Sequence, residues 1–196
     1  MKRFAVVLGF LVGVLVLSAP SMASTWKFNK PHTSIQFNVK HMMVTDVWGR
    51  FHDFDGTLTY DPDHPLNTKV SVTIQANSID TDNDYRNKDL RSDRFFDVEK
   101  YPTITFTSTK VVKTVSGFDL TGDLTMHGVT KPMTLHVTGP TPPFQAGKHR
   151  KIAVNAQGTI DRTQWNLTWN KTLETGGVLV GDDVNLVINC EMDETD

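Results

Sequence analysis

Cysteine is nearly absent: Cys190 is the only one in 196 residues, so no disulfide can form within the chain. Basic residues do not outnumber acidic ones (20 against 22, net −2 with histidine neutral), and no basic patch stands out. Nucleic acid is therefore not an expected partner, because binding it takes a concentrated positive surface. The seven histidines are scattered, at His32, His41, His52, His64, His127, His136 and His149, with no pair at the spacing of a helical metal site. Cys190 has no second thiol, so neither a metal, which needs three or four converging ligands, nor a cofactor is expected. The chain also lacks a nucleophile elbow, a phosphate-cradling glycine loop, a long amphipathic helix and a repeat of about 20–50 residues.

Long apolar runs are scarce too. The one at residues 4–17 is shorter than the ~20 residues of a membrane-spanning helix. It follows Lys2 and Arg3 and precedes Ser21-Met22-Ala23, a small-x-small cleavage site. Residues 1–23 read as a cleaved secretory signal, with Ser24 the first mature residue; an uncleaved N-terminal anchor is the other reading. No cysteine sits near the cleavage site for lipid attachment. Residues 24–196 then form a single domain, and an exported domain without disulfides must be held by its core. A bacterial periplasm suits such a chain.

What is present is alternation. Ile35, Phe37 and Val39 alternate with Gln36, Asn38 and Lys40, the pattern of a strand with one face buried. A second strand runs over residues 48–60 but changes phase: Gly49 and Phe51 share one parity, and Phe54, Gly56, Leu58 and Tyr60 the other. One extra residue near His52-Asp53 would bring both sets to the same side, so a bulge or bend is expected there. Further strands follow at Val70 to Ala76, Ile104 to about Val112, Phe118 to Met126, Met133 to Val137, Ile152 to Ile160 and Val184 to Cys190. Residues 127–132 read as a tight connection, and the acidic tail as frayed beyond Met192. Cys190, in phase with apolar neighbours, reads as a buried thiol.

Two segments interrupt the strands. In residues 78–102, Asp82 precedes Arg86 and Asp84 precedes Lys88 by four, a spacing that supports a short exposed helix near 82–91. Thr81 or Asp82 can cap it. Phe95 and Phe96 then bring the chain back to an apolar surface, so the segment reads as a polar lid or as a solvated connector with two aromatic anchors. The other interruption, residues 161–181, is irregular.

About eight strands, each with one apolar face, fit a closed antiparallel barrel or a two-sheet sandwich. Strands of ten or more residues, with glycine at the inward-phase positions 49, 56, 122 and 158, favour the barrel. Phe37, Phe51, Phe54, Leu58, Ile74, Phe106, Leu120, Leu124, Leu135, Val154 and Leu186 then point inward. They either fill a solid core or line a tunnel for an apolar tail. Carboxylates such as Asp53, Asp55, Asp84 and Asp89 crowd the loops, leaving room for an enzyme that pairs them with His52 or His127 at the mouth. A solid β-domain acting as an interaction module is the third possibility.

The chain resembles the YceI-like family over about residues 25–192. The resemblance is carried by HTSIQFNVKH at 32–41, WGRFHDFDGTLTYD at 48–61, the polar block at 77–109, LTGDLTMHGVTKPMTLHV at 120–137 and VGDDVNLVI at 180–188. It implies an all-β, eight-stranded, lipocalin-like barrel enclosing a polyisoprenoid or similar lipid, with no established catalysis. It implies Phe37, Phe51, Phe54, Phe95, Phe96 and Phe106 as residues lining or closing the tunnel, alongside Leu58, Ile74, Leu120 and Leu124. Arg86 and Arg91 are candidates for an anionic head group at the mouth, since guanidinium matches phosphate geometry; otherwise they are exposed partners of Asp82 and Asn87. Family members commonly carry His-Leu where this chain has Asp89-Leu90. An exposed edge or the barrel mouth could pair two copies as a homodimer.

Overall fold

The computed structural model describes residues 23–174 and 176–195. Apart from Ala23, the signal segment lies outside the described residues.

Eight antiparallel strands run up and down in chain order. They are β1 (Ser24–Phe28, resuming at Ser34–His41), β2 (Thr45–Phe51 and Phe54–Tyr60), β3 (Lys69–Gln75 and Ile79–Asp80), β4 (Thr103–Lys113), β5 (Phe118–Met126), β6 (Val129–Thr138), β7 (His149–Asp161) and β8 (Val180–Thr195). Each pairs with the next, and β8 pairs back along β1 to close the barrel. Closure leaves only short edges among the described residues: Phe144–Ala146 and Ile79–Asp80 each pair on one side. The short strip Phe144–Ala146 only extends the start of β7.

Strands β1, β2 and β3 are broken at adjacent points, so the wall turns a corner. In β1 the break holds the 3₁₀ turn Lys30–His32, with proline near its start; in β3 it is the turn Ala76–Ser78. In β2 it falls at His52-Asp53, as the phase change predicts. The amide of His52 donates to the carbonyl of Ser78 (3.3 Å), and the amide of Gln75 donates to that of Asp53 (2.8 Å), so the corner keeps its hydrogen bonds. Across the break, Gly49, Phe51, Phe54, Gly56 and Leu58 are all buried.

One end of the barrel carries the β1–β2 tip, the β5–β6 turn and both long non-strand segments. The first segment contains the helix α1, Asp84–Arg91. The second begins with the 3₁₀ turn Arg162–Trp165. The far end is plugged by Trp26, Leu58, Ile152 and Met192.

Several expectations need correction. Trp26 and Phe28 belong to a strand segment, Ser24–Phe28, that sequence alternation did not reveal. Strand β6 begins at Val129, so the tight connection is only His127-Gly128. The tail does not fray at Met192: Asp193, Glu194 and Thr195 pair with Lys27, Trp26 and Thr25. The cap of α1 is Asn83, whose side chain accepts from the Arg86 amide (3.0 Å). Asp82 accepts instead from Arg50 (2.8 Å).

Candidate functional site

The inward faces do not meet. They surround a cavity of about 260 Å³, lined from the lid end (Leu90, Phe95, Phe96) down to Tyr60, Thr68 and Pro140 near the far end. That is close to the lower bound of ligand pockets, about 300–1,000 Å³, and it is drawn out along the barrel. Its wall is apolar almost throughout.

Of the residues assigned to the tunnel, Phe37, Phe51, Leu58, Ile74, Phe95, Phe96, Phe106, Leu120 and Leu124 line the cavity, with Leu135, Val154 and Leu186. Phe54 does not. It is buried behind the wall, edge-on to Phe28 at 5.6 Å between ring centres. The lining aromatics pack on one another: Phe37 against Phe51 (5.8 Å) and Phe51 against Phe96 (6.2 Å).

The inward glycines have a packing reason beyond bending. A methyl group on Gly49 would fall on the Phe37 ring, and one on Gly122 on the Phe106 ring. The missing side chain leaves each ring a seat flat on the wall.

Arg86 and Arg91 are not among the lining residues. Arg86 donates to the hydroxyl and carbonyl of Thr81 (2.8 Å each), and Arg91 to the carbonyls of Asn77 (2.8 Å) and Ile79 (2.7 Å). Both guanidinium groups fasten the lid to the end of β3. Buried Asn87 does the same from inside: its carbonyl oxygen accepts from the amide (2.8 Å) and hydroxyl (2.7 Å) of Thr81, and its amide donates to Asp80 (2.8 Å). His52 lies 3.0 Å from the other Asp80 oxygen. These hydrogen bonds, first the one from His52, hold the Asp80 carboxyl well below its ordinary range.

The charged group that does reach the cavity wall is Arg162, which sequence reading did not single out. It is buried, and its guanidinium donates to the carbonyls of Leu167, Trp169 (3.1 Å), Gly181 (2.9 Å) and Val180 (3.3 Å), and to the Asp182 carboxylate (3.1 Å). Burial lowers its pKa, and Asp182 and Asp161 oppose that shift. With its donors committed to the protein, Arg162 organises the second segment and leaves no N–H for a guest. A lone arginine followed by irregular sequence gave no periodic signal to find it by.

The two segments meet over the cavity: Phe95 rests on Trp169, and the Arg94 guanidinium lies over that ring at 4.4 Å. Cys190 also lines the cavity, and burial pushes its thiol up to about 12, so it is held as a neutral thiol. Among the described residues, no three His, Cys, Asp or Glu side chains group as metal ligands do.

The family model described as the YceI-like domain matches residues 26–192. The protein YceI of Salmonella newport is 40% identical over 166 residues, covering 82% of this chain and 86% of its own. Among solved structures, BcnA of Burkholderia cenocepacia superposes with a TM-score of 0.72 at 22% identity, covering 84% of this chain and 98% of BcnA. A polyisoprenoid binding domain from Saccharophagus degradans superposes with a TM-score of 0.62 at 16% identity, covering 87% and 98%. The chain belongs to the YceI-like family.

Proposed function

We propose that this protein is a carrier that encloses one long hydrophobic molecule, a polyisoprenoid, an isoprenoid quinone or a fatty-acid-like lipid, in its barrel. The observation that carries the reading is the cavity itself: it runs along the barrel and offers a guest almost nothing but hydrocarbon and aromatic faces. Such a wall recognises a tail. Each methylene taken from water contributes about 0.8 kcal/mol, so a long chain gains affinity without polar anchors. The polyisoprenoid-binding neighbour supports the same class of ligand.

On this reading the protein is not an enzyme. The acid–histidine pair beside the lid, Asp80 with His52, supports the end of β3 and is not part of the cavity wall. We further propose export to a bacterial periplasm, which fractionation of cells with and without residues 1–23 would test.

Solvent extraction of natively purified protein, followed by mass spectrometry, should release a long-chain lipid in near-stoichiometric amount. A Leu124→Trp variant, which fills the lumen, should release little. Absence of any native lipid from wild type, together with no uptake of an added polyprenol, would overturn the carrier reading.

A further inference from the structure

The β1–β2 tip presents Met42, Met43 and Val44 to solvent, 49%, 56% and 77% exposed. Three large apolar residues in a row at a convex turn are not scattered surface apolar residues of the ordinary kind. The backbone makes the choice more telling. Met42 and Met43 both have positive φ, 51° and 62°, a region that favours glycine and asparagine. Turn geometry alone would select a small or polar residue there, yet two flexible thioether side chains occupy it.

We infer that this tip is a membrane-inserting knuckle whose partner is the surface of a phospholipid bilayer. Four observations point to a bilayer. The tip is convex, so it suits a deformable medium better than a groove. The two charged side chains that flank it on the hairpin, Lys40 and Asp46, pair at 2.9 Å, so the tip itself offers an apolar attraction. Trp48, 52% exposed, stands on the same hairpin about 13 Å below Val44 at strand rise, and tryptophan favours the headgroup level. Three side chains also bury far less than the ~800 Å² per partner of a stable protein pair. The knuckle adjoins the cavity: the Met42 amide donates to the carbonyl of Leu179 (2.8 Å), and the flanking Val39 and Val180 line the lumen. A tail leaving the bilayer beside the knuckle would meet the mouth at once. This inference deepens the carrier reading and rests on it for its purpose, though not for its measurement.

The test is flotation of the purified protein with uncharged phosphatidylcholine vesicles. It is read beside the fluorescence of Trp48, since Trp26 and Trp165 are buried and Trp169 is covered by Phe95 and Arg94. Wild type should float, and its emission should shift to the blue. The triple variant Met42→Asn, Met43→Gly, Val44→Ser should float at least tenfold less while keeping or raising Tm, because its residues suit the turn. Leu124→Trp should still float although its lumen is filled, which separates failure of the knuckle from failure of the carrier reading. Wild type that does not float, or floats no better than the triple variant, overturns the inference. So does flotation that needs anionic lipid and is abolished by salt, or a triple variant whose only change is from dimer to monomer.

Discussion

The rings of Phe95 and Trp169, 74 residues apart in the chain, lie 5.2 Å apart between centres and tilted by 54°, joining the two non-strand segments. Hydrogen bonds from Arg86, Arg91 and Asn87 hold the first segment to β3, and those of Arg162 organise the second. The ring contact then joins the two across the end of the cavity.

Removing that contact should therefore open the lid more than it harms the barrel. Phe95→Ala should cost about 3 kcal/mol in unfolding titrations, as a buried phenylalanine does. The sharper readout is guest exchange: release of a fluorescent polyprenol should accelerate at least tenfold. Phe54→Ala, buried outside the cavity wall, should cost comparable stability and change release little.

Glycine at position 49 is a seat for a ring. Gly49→Ala would drive the Phe37 ring off the wall and into the lumen. Overpacking of this kind costs about 1–3 kcal/mol. Affinity for a long-chain guest, measured by displacement of a fluorescent probe, should fall, and the double variant Gly49→Ala, Phe37→Leu should recover much of it.

Arg162 has five N–H groups and spends them on four carbonyls and one carboxylate. Lysine has three. Arg162→Lys keeps the charge but leaves buried carbonyls without donors, which should lower stability by about 2–3 kcal/mol, or roughly 5–10 °C in Tm. Calorimetry would measure this, and hydrogen exchange should show the loss concentrated in residues 162–182.

The lid's footing should be sensitive to acid. The Asp80 carboxyl titrates lower in the fold than its ordinary value of 3.8, because its charged form accepts hydrogen bonds from His52, Asn87 and the Asp82 amide. A lowered carboxyl adds stability that is fully present above the unfolded value and is lost as pH falls through the folded one. Protection of residues 81–91 in hydrogen exchange should thus hold from neutral pH to about pH 5 and decline progressively below about pH 4. In Asp80→Asn that acid-dependent decline should flatten.

Strand content and barrel class were legible because they rest on a local, periodic signal. The parity change at His52-Asp53 showed in the letters, and the chain does break there, since the inward side had to stay apolar on both sides of the corner. Segment Ser24–Phe28 was missed because a stretch so short shows little alternation, and Trp26 is buried only because Leu58, Ile152 and Met192 come from three distant strands to cover it. The tail, acidic in sequence, stays ordered because Lys151 meets Glu191 (2.7 Å) and Asp193 (2.5 Å), and β1 lies alongside. Arg86 and Arg91 looked free for a head group because carbonyl acceptors leave no mark in a sequence.

By itself the sequence determined which side chains turn toward the inside, because strand parity assigns a face to every residue along a run. Whether those inward side chains meet was decided only in three dimensions. Barrel girth comes from how many strands close and how they stagger, and glycine seats draw the aromatic rings back against the wall, so an apolar interior became a cavity and not a filled core.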